Sequence, residues 1–417
     1  MTKHSLIDLI KNKPLFESIA DQFGTPLYLY SKERLVQNIK TLDNALNENF
    51  DTYHICYTIK ANSNPHLIKT LKTTIQSLGA DCASPGEIYV AGKGGIKGHE
   101  CIYTGNYESP DDLKYALEKG AHINLDDISS FHRMKKIGIP DDIAFRLNPG
   151  FGRGAFSQII TGGENSKFGV PHYDIVKAYQ LAKESGISKF GIQCMTGSGV
   201  LDPDYYPKLI QDILKTVGLL KDELDIHMDY ISLGGGYGIP YHDDEIPLDF
   251  NHVFENVANN FHAYFDERNE QKPALWIEPG KSVVGDAGIL LTRVTGMKAS
   301  YKSYIGVDAG METLMRPALY GAYHRIYKVG DPDAPTTQKV DITGQICENT
   351  DRLAIDRPFP EVKEGDLIAI MDTGAYSFSM SNQFCTRPKV AEVLIDGEKR
   401  TLIRKRETVE DIFQNCY

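Results

Sequence analysis

Residues 53–59, YHICYTI, running into Lys60-Ala61-Asn62, decide how the chain is read. The run is apolar, β-branched and aromatic, so it reads as a strand; the amphipathic segment 65–75 after it reads as a helix. The same pairing recurs down the chain. Strand-like runs return at 78–82 (LGADC), 100–104 (ECIYT), 121–125 (AHINL), 142–147 (DIAFRL), 189–194 (KFGIQC), 229–233 (DYISL) and 274–278 (ALWIE). Helix-like stretches fall between them, for example at 110–119, 173–185, 204–222 and 251–268. Pro110-Asp111-Asp112 and Asp202-Pro203-Asp204 read as helix starts, because acidic side chains suit the positive N-terminal end and proline suits the first turn. Eight such units predict an α/β fold with a (β/α)8 TIM-like barrel over residues 35–285. A doubly wound sheet is the competing architecture.

Past residue 286 the texture changes. The runs 287–300 (AGILLTRVTGMKAS), 366–372 (DLIAIMD) and 389–397 (KVAEVLIDG) read as strands without helices between them. They predict a C-terminal, mostly antiparallel β domain over 286–417, with residues 1–34 packing on it and LYLY (27–30) as a candidate strand of it.

Bulk properties narrow the function classes. At 417 residues the chain exceeds the usual size of one hydrophobic core, and 41% hydrophobic with 24% charged residues fits a folded protein. A net charge of −11 gives no general attraction to nucleic acid or anionic membrane, so an anionic ligand needs a local site. The seven cysteines are scattered without CxxC spacing, which argues against a disulfide framework or a metal site and favours a reducing compartment. MTKHSLIDLIKNKPLF at the N-terminus lacks a long apolar core, and no apolar run is long enough to span a bilayer; the chain reads as cytoplasmic.

In a barrel, active-site groups sit just past the C-terminal ends of the strands. Lys60 follows the first strand, Asp81 and Ser84-Pro85-Gly86-Glu87 the second, and Arg146 closes the fifth. Thr196-Gly197-Ser198-Gly199 follows the sixth, Gly234-Gly235-Gly236 the seventh, and Glu278-Pro279-Gly280-Lys281 ends the eighth. Glycine-rich turns let backbone N–H groups approach a phosphate, although each such loop alone is more often a tight turn. Lys60 alone reads as solvated surface charge, and Glu278 alone as an ordinary strand-end acid. Together, an amine, an acid for a pyridinium nitrogen and a phosphate cradle are what pyridoxal 5'-phosphate needs.

Eight ordered motifs carry a resemblance: YTIKANSNP (57–65), GADCASPGE (79–87), NPGFGRGAFSQIITGGENSKFGV (148–170), GGGYG (234–238), EPGK (278–281), DAGMETLMRPALYGAYH (308–324), CENTD (347–351) and GAYSFSMSNQFCTRP (374–388). From about residue 25 to about residue 400 the chain resembles the diaminopimelate decarboxylases, fold-type III pyridoxal-phosphate enzymes related to ornithine decarboxylase and alanine racemase. The resemblance implies that Lys60 holds the cofactor covalently and that Glu278 pairs with its ring nitrogen. It places Ser198, Gly235, Gly236 and Gly280 at the phosphate, and Asp81, Arg146 and Tyr376 around the ring. Arg316, Tyr320, Glu348 and Tyr376 match substrate-binding positions, and Cys347 matches a catalytic cysteine that comes from the partner subunit. That pattern implies a homodimer with shared active sites.

Two positions depart from the family pattern. Met195 stands where relatives carry a histidine that stacks on the pyridine face. Lys281, assigned to both cofactor and substrate, stands where they carry an arginine. A thioether offers no tunable proton, and lysine grips a carboxylate as a point charge instead of a fork. The implied reaction is conversion of meso-diaminopimelate to L-lysine and CO2, a step of lysine biosynthesis. The competing enzyme reading is a decarboxylase of another amino acid or amino-acid conjugate, in a polyamine, siderophore or antibiotic pathway. A non-catalytic cofactor carrier fits less well with Lys60 and Cys347 retained, and a racemase fits the CENTD and GAYSFSM runs less well. The bland rivals are an inert thiol for Cys347, packing aromatics for Tyr320 and Tyr376, a surface ion pair for Arg316 and a structural ion pair for Arg146.

Overall fold

The computed structural model describes residues 4–154, 156, 158 and 160–416. Its strands are β1 (Leu27–Ser31), β2 (Tyr53–Thr58), β3 (Gly79–Cys82), β4 (Cys101–Tyr103), β5 (His122–Leu125), β6 (Asp142–Asn148), β7 (Val170–Pro171), β8 (Lys189–Gln193) and β9 (Tyr230–Ser232). They continue as β10 (Ala274–Ile277), β11 (Gly288–Ala299), β12 (Ser303–Val307), β13 (Ile326–Lys328), β14 (Gln338–Thr343), β15 (Arg352–Phe359), β16 (Leu367–Ile370), β17 (Ala391–Asp396) and β18 (Lys399–Arg404). The chain divides into two compact units. One comprises Val36–Pro240 with Ile246–Val283; the other comprises the residues through Leu35, Tyr241–Glu245, and the chain from Val284 onward.

In the first unit the parallel strands run in the order β5-β4-β3-β2-β10-β9-β8-β6, and β5 pairs with β6 to close the ring. That closing pairing settles the choice between a barrel and an open doubly wound sheet. All eight strand runs read from the sequence form its staves. The interior is a packed core, with Cys56, Ile102, Ala144, Tyr230 and Trp276 meeting inside it and the Tyr230 and Trp276 rings stacked at 4.1 Å. Three outer helices begin alike: Asn64, Ser84 and Ser109 each accept a backbone N–H of the first turn through the side chain, and a proline follows in the first helical position. Each such cap stabilises its helix by about 1 kcal/mol, and proline there forfeits no hydrogen bond. Pro110 therefore starts a helix as read. Pro203 does not: the helix begins at Tyr205, because the Asp202 carboxylate takes the Asp204 N–H and holds these residues in a turn ahead of it.

In the second unit β1 lies between β11, antiparallel, and β17, parallel, so the LYLY run is an interior strand of this sheet. β11 also pairs antiparallel with β12 and β16; β13 pairs with β16, β14 with β15, and β17 with β18, all antiparallel. Among the described residues of this unit only β1–β17 and β12–β14 are parallel. Helices 4–10 and 13–23, which the sequence reading left unassigned, place Ile10, Phe16 and Ile19 on the same core as Leu27, Leu29, Leu291 and Val393. Tyr241 joins this unit through its ring, which lies 4.7 Å from the Arg316 guanidinium and 5.4 Å from the His324 ring.

Candidate active site

Lys60 is the first feature the barrel topology places. Strand β2 ends at Thr58, and a single 3-10 turn, 59–61, carries Lys60 at the C-terminal mouth. In the β2–β3 register Thr58 stands opposite Asp81, so the Asp81 carboxylate reaches both Thr58 Oγ1, at 3.1 Å, and Lys60 Nζ, at 2.6 Å. The Asp81 side chain is 3% exposed and that of Lys60 44%. The acid is therefore fixed in the wall while the amine stays open to an incoming carbonyl.

Glu278 follows β10 and is fully enclosed. The registers of β8, β9 and β10 bring Gln193 and Ser232 side by side next to it. Ser232 Oγ donates to one carboxylate oxygen at 2.6 Å, and Gln193 Nε2 donates to the other at 2.8 Å. Thr58 Oγ1 donates to the Glu278 carbonyl at 2.8 Å. Burial, then the negative charge of Asp81, push the Glu278 carboxyl up to about 7, against the lowering effect of the Ser232 and Gln193 bonds and of Lys60. The site thus holds an acid that titrates near neutrality beside an exposed amine.

The two glycine loops face each other. A Cβ on Gly236, whose φ is +96°, would stand 2.7 Å from the Gly197 carbonyl, and one on Gly235 would strike the Glu278 carbonyl, so both positions require glycine. The Gly235 N–H is donated to Met195 Sδ at 3.3 Å. The N–H groups of Ser198 and Gly236 have no acceptor among the described residues. Arg146, buried, donates to the carbonyls of Thr161 and Met195 at 3.1 and 2.8 Å, lies 3.9 Å from Asp126, and stacks over Phe168. It ties the 161–168 segment to the 195 loop. Gly280 fits closely, its Cα facing the Cβ atoms of Ala61 and Thr58, and Lys281 is buried at the start of a short helix.

The other candidates belong to the second unit. Arg316 is buried; its Nη1 donates to His324 Nε2 at 2.8 Å, while His324 Nδ1 contacts the Met371 carbonyl at 2.8 Å. That pair of contacts fixes His324 as neutral, with the proton on Nδ1. Among the described residues no carboxylate lies within 4 Å of Arg316, so the surface ion-pair reading of it fails. Tyr320 closes the same short helix, Arg316–Tyr320, half-buried. Tyr376 is half-buried with φ +54°, in the left-handed region that non-glycine residues seldom occupy. Cys347 and Glu348 are exposed on the turn between β14 and β15. Asp351 shapes that turn by accepting the N–H groups of Met311 at 2.6 Å and Ile346 at 2.8 Å.

The sequence reading missed Thr58, Gln193 and Ser232. A signal existed: each is a polar residue at the end of an otherwise apolar strand run, where a barrel side chain faces either the packed interior or the mouth.

Comparison with known proteins fits this arrangement. The sequence model of the family described as "Pyridoxal-dependent decarboxylase, pyridoxal binding domain" matches residues 36–285. The diaminopimelate decarboxylase of Methanothermobacter thermautotrophicus is 39% identical over 95% of this chain and 92% of its own length. That of Aquifex aeolicus is 35% identical over 95% and 93%. The chain belongs to the diaminopimelate decarboxylase family. The structure of the Helicobacter pylori diaminopimelate decarboxylase complexed with L-lysine superposes with a TM-score of 0.88 at 30% identity, covering 96% of this chain and 98% of that one.

Members of this family are pyridoxal-phosphate-dependent carboxy-lyases, and so is this chain. Its residues fit the cofactor on three counts: an exposed amine at the barrel mouth, a buried acid beside it, and, in loops packed too closely for any Cβ at Gly235 or Gly236, the N–H groups of Ser198 and Gly236 with no acceptor among the described residues. Among the described residues there is no group of three or more His, Cys, Asp or Glu side chains suited to a metal ion, and no helix long and apolar enough to cross a membrane.

Proposed function

We propose that this chain converts meso-diaminopimelate to L-lysine and CO2. The observation that carries the reading is the clamped Glu278 carboxylate beside the exposed Lys60 amine, in a chain similar throughout its length to diaminopimelate decarboxylases. Lys60 would hold the cofactor, Glu278 its ring nitrogen, and the N–H groups of Ser198, Gly236 and Gly280 its phosphate. When bound, pyridoxal phosphate supplies an electron sink for the pair of electrons left behind as CO2 departs.

The chain's own residues then have separable tasks. Asp81 holds the Lys60 amine in place, at 2.6 Å, for an incoming carbonyl. Ser232 and Gln193 hold Glu278 in one orientation and favour its charged form. Arg146 and Met195 fix the glycine loops, and Tyr376 would contact the cofactor and the substrate. Arg316, buried without a carboxylate partner, has the charge and the desolvation to bind a substrate carboxylate, with Tyr320, Glu348 and Lys281 reading the rest of the substrate. Cys347 delivers the proton that replaces the lost carboxylate. The exposure of Cys347 and Glu348 supports a homodimer in which they serve the partner's site, and the absence of disulfides among the seven cysteines supports a cytoplasmic setting.

The test is CO2 release from a panel of meso-diaminopimelate, lysine, ornithine and arginine in both hands. Release from meso-diaminopimelate alone is expected. Preference for another member of the panel would overturn the substrate and favour the second reading, a decarboxylase of a different amino acid, to which Met195 and Lys281 point. Mixing Lys60→Ala and Cys347→Ala proteins tests the shared site: about a quarter of wild-type activity returns if the thiol crosses between subunits, by subunit statistics, and none if it does not.

A further inference from the structure

Cys347 and Cys385 lie on two separate loops, 38 residues apart in the chain, with their sulfurs 3.6 Å apart. Both are exposed, whereas Cys56, Cys82, Cys101 and Cys194 are buried. A disulfide spans about 2.05 Å, so closure needs the sulfurs to approach by roughly 1.5 Å, within reach of side-chain rotation on loop residues. The backbone beneath Cys385 is unusual. Cys385 has φ +53° and Thr386 φ +58°, two adjacent non-glycine residues in the left-handed region, one of them β-branched. Strain of this kind persists only where the surroundings enforce it and gathers at functional positions. Across the contact, the Asp351 carboxylate fixes the turn that carries Cys347. The neighbouring sulfur raises the Cys347 pKa through a shared hydrogen bond and through charge repulsion, which shows the two thiols in direct contact.

We propose that Cys347 and Cys385 are a two-electron modification site, closing to a disulfide under a peroxide or an equivalent thiol oxidant and switching the carboxy-lyase off until a dithiol reopens it. The loss of activity rests on the reading of Cys347 as proton donor. With peroxide, one sulfur attacks as thiolate, the O–O bond breaks, hydroxide leaves and a sulfenic acid forms. The second thiolate attacks that sulfur, the S–O bond breaks and a second hydroxide leaves; the two protons given up by the thiols convert both hydroxides to water. In sum, two thiols and one peroxide give one disulfide and two waters. A dithiol reductant returns both electrons and both protons.

The experiment uses the cofactor-loaded enzyme treated with diamide, whose N=N bond takes up the two hydrogens, followed by alkylation of the remaining thiols and peptide mapping. The expected result is a linked pair of peptides containing Cys347 and Cys385, at least a tenfold loss of CO2 release, and recovery with dithiothreitol. Cys385→Asn suits the left-handed backbone. It should keep basal activity, form no linked peptide and resist diamide; Cys385→Ser serves if that protein fails to fold. Absence of the linked pair in wild type overturns the site. A linked pair with undiminished activity overturns the switch. Full activity of reduced Cys347→Ala, measured separately, would instead show that the proton-donor reading is what failed.

Discussion

In the barrel, Glu278 and Asp81 sit buried at strand ends, and both Glu278 carboxylate oxygens accept hydrogen bonds from neighbouring strands. In the β unit, Cys347 and Glu348 stand exposed on a turn, Tyr376 follows β16 with a left-handed φ, and Arg316 opens a helix of five residues. The first set is held by β-sheet register, the second by loops and by single side chains such as Asp351 and His324. Rigid strand ends suit a cofactor that must be held the same way at every turnover. Loops suit the groups that distinguish one amino acid from another. On the proposed roles, the cofactor is held chiefly by the barrel, while most substrate contacts and the Cys347 proton donor lie in the β unit, so the two sets of variants should fail differently.

The largest effect is expected for Glu278→Gln. It keeps the shape and removes the charge, so kcat should fall by about 10² to 10³, with cofactor still bound but its absorption altered. An unchanged spectrum and rate would break the barrel half of the contrast. The same variant carries a stability signature in cofactor-free protein. Folding raises the Glu278 pKa from 4.5 to about 7, so the folded chain holds a proton that the unfolded chain has already released. Its contribution is present below 4.5 and is lost as pH rises toward 7. Over that window wild type should lose on the order of a few kcal/mol relative to Glu278→Gln, read from denaturant midpoints at a series of pH values. Parallel curves would contradict the assigned shift.

A smaller effect is expected for Arg316→Lys. It preserves the charge and loses the fork, so KM for meso-diaminopimelate should rise about tenfold, equivalent to ~1.4 kcal/mol, with the cofactor absorbance untouched. Loss of the yellow colour would break the β-unit half, because Arg316 would then serve the cofactor. The smallest effect is expected for Ser232→Ala. It leaves a buried carboxylate oxygen without its donor and should lower unfolding stability by about 1–3 kcal/mol, with a kcat change well below that of Glu278→Gln. A larger loss than from Glu278→Gln would mean that the hydroxyl acts on the reacting atoms directly.

How far the sequence reached follows the same division. The eight strand runs were legible because each is a short apolar run bounded by turn residues, and their order alone put Lys60, Asp81 and Glu278 at one mouth. LYLY was legible as a strand, yet its central place between β11 and β17 was not, since that pairing joins residues at least 258 positions apart. Gln193 and Ser232 were hidden because their partner is fixed by register between strands, and register is a property of the closed barrel. Pro203 misled because a short aspartate-capped turn and a helix start use the same residues. The Cys347–Cys385 contact has no local signal in the sequence; two loops deliver it.

The central claim is a covalent one, and it can be read directly. Cofactor-loaded protein is reduced with borohydride, digested and mapped by mass spectrometry. The account predicts the phosphopyridoxyl group on the peptide carrying Lys60, and no such label in Lys60→Ala protein that remains folded. A label on a different lysine, or an unchanged label in the Lys60→Ala protein, would contradict it.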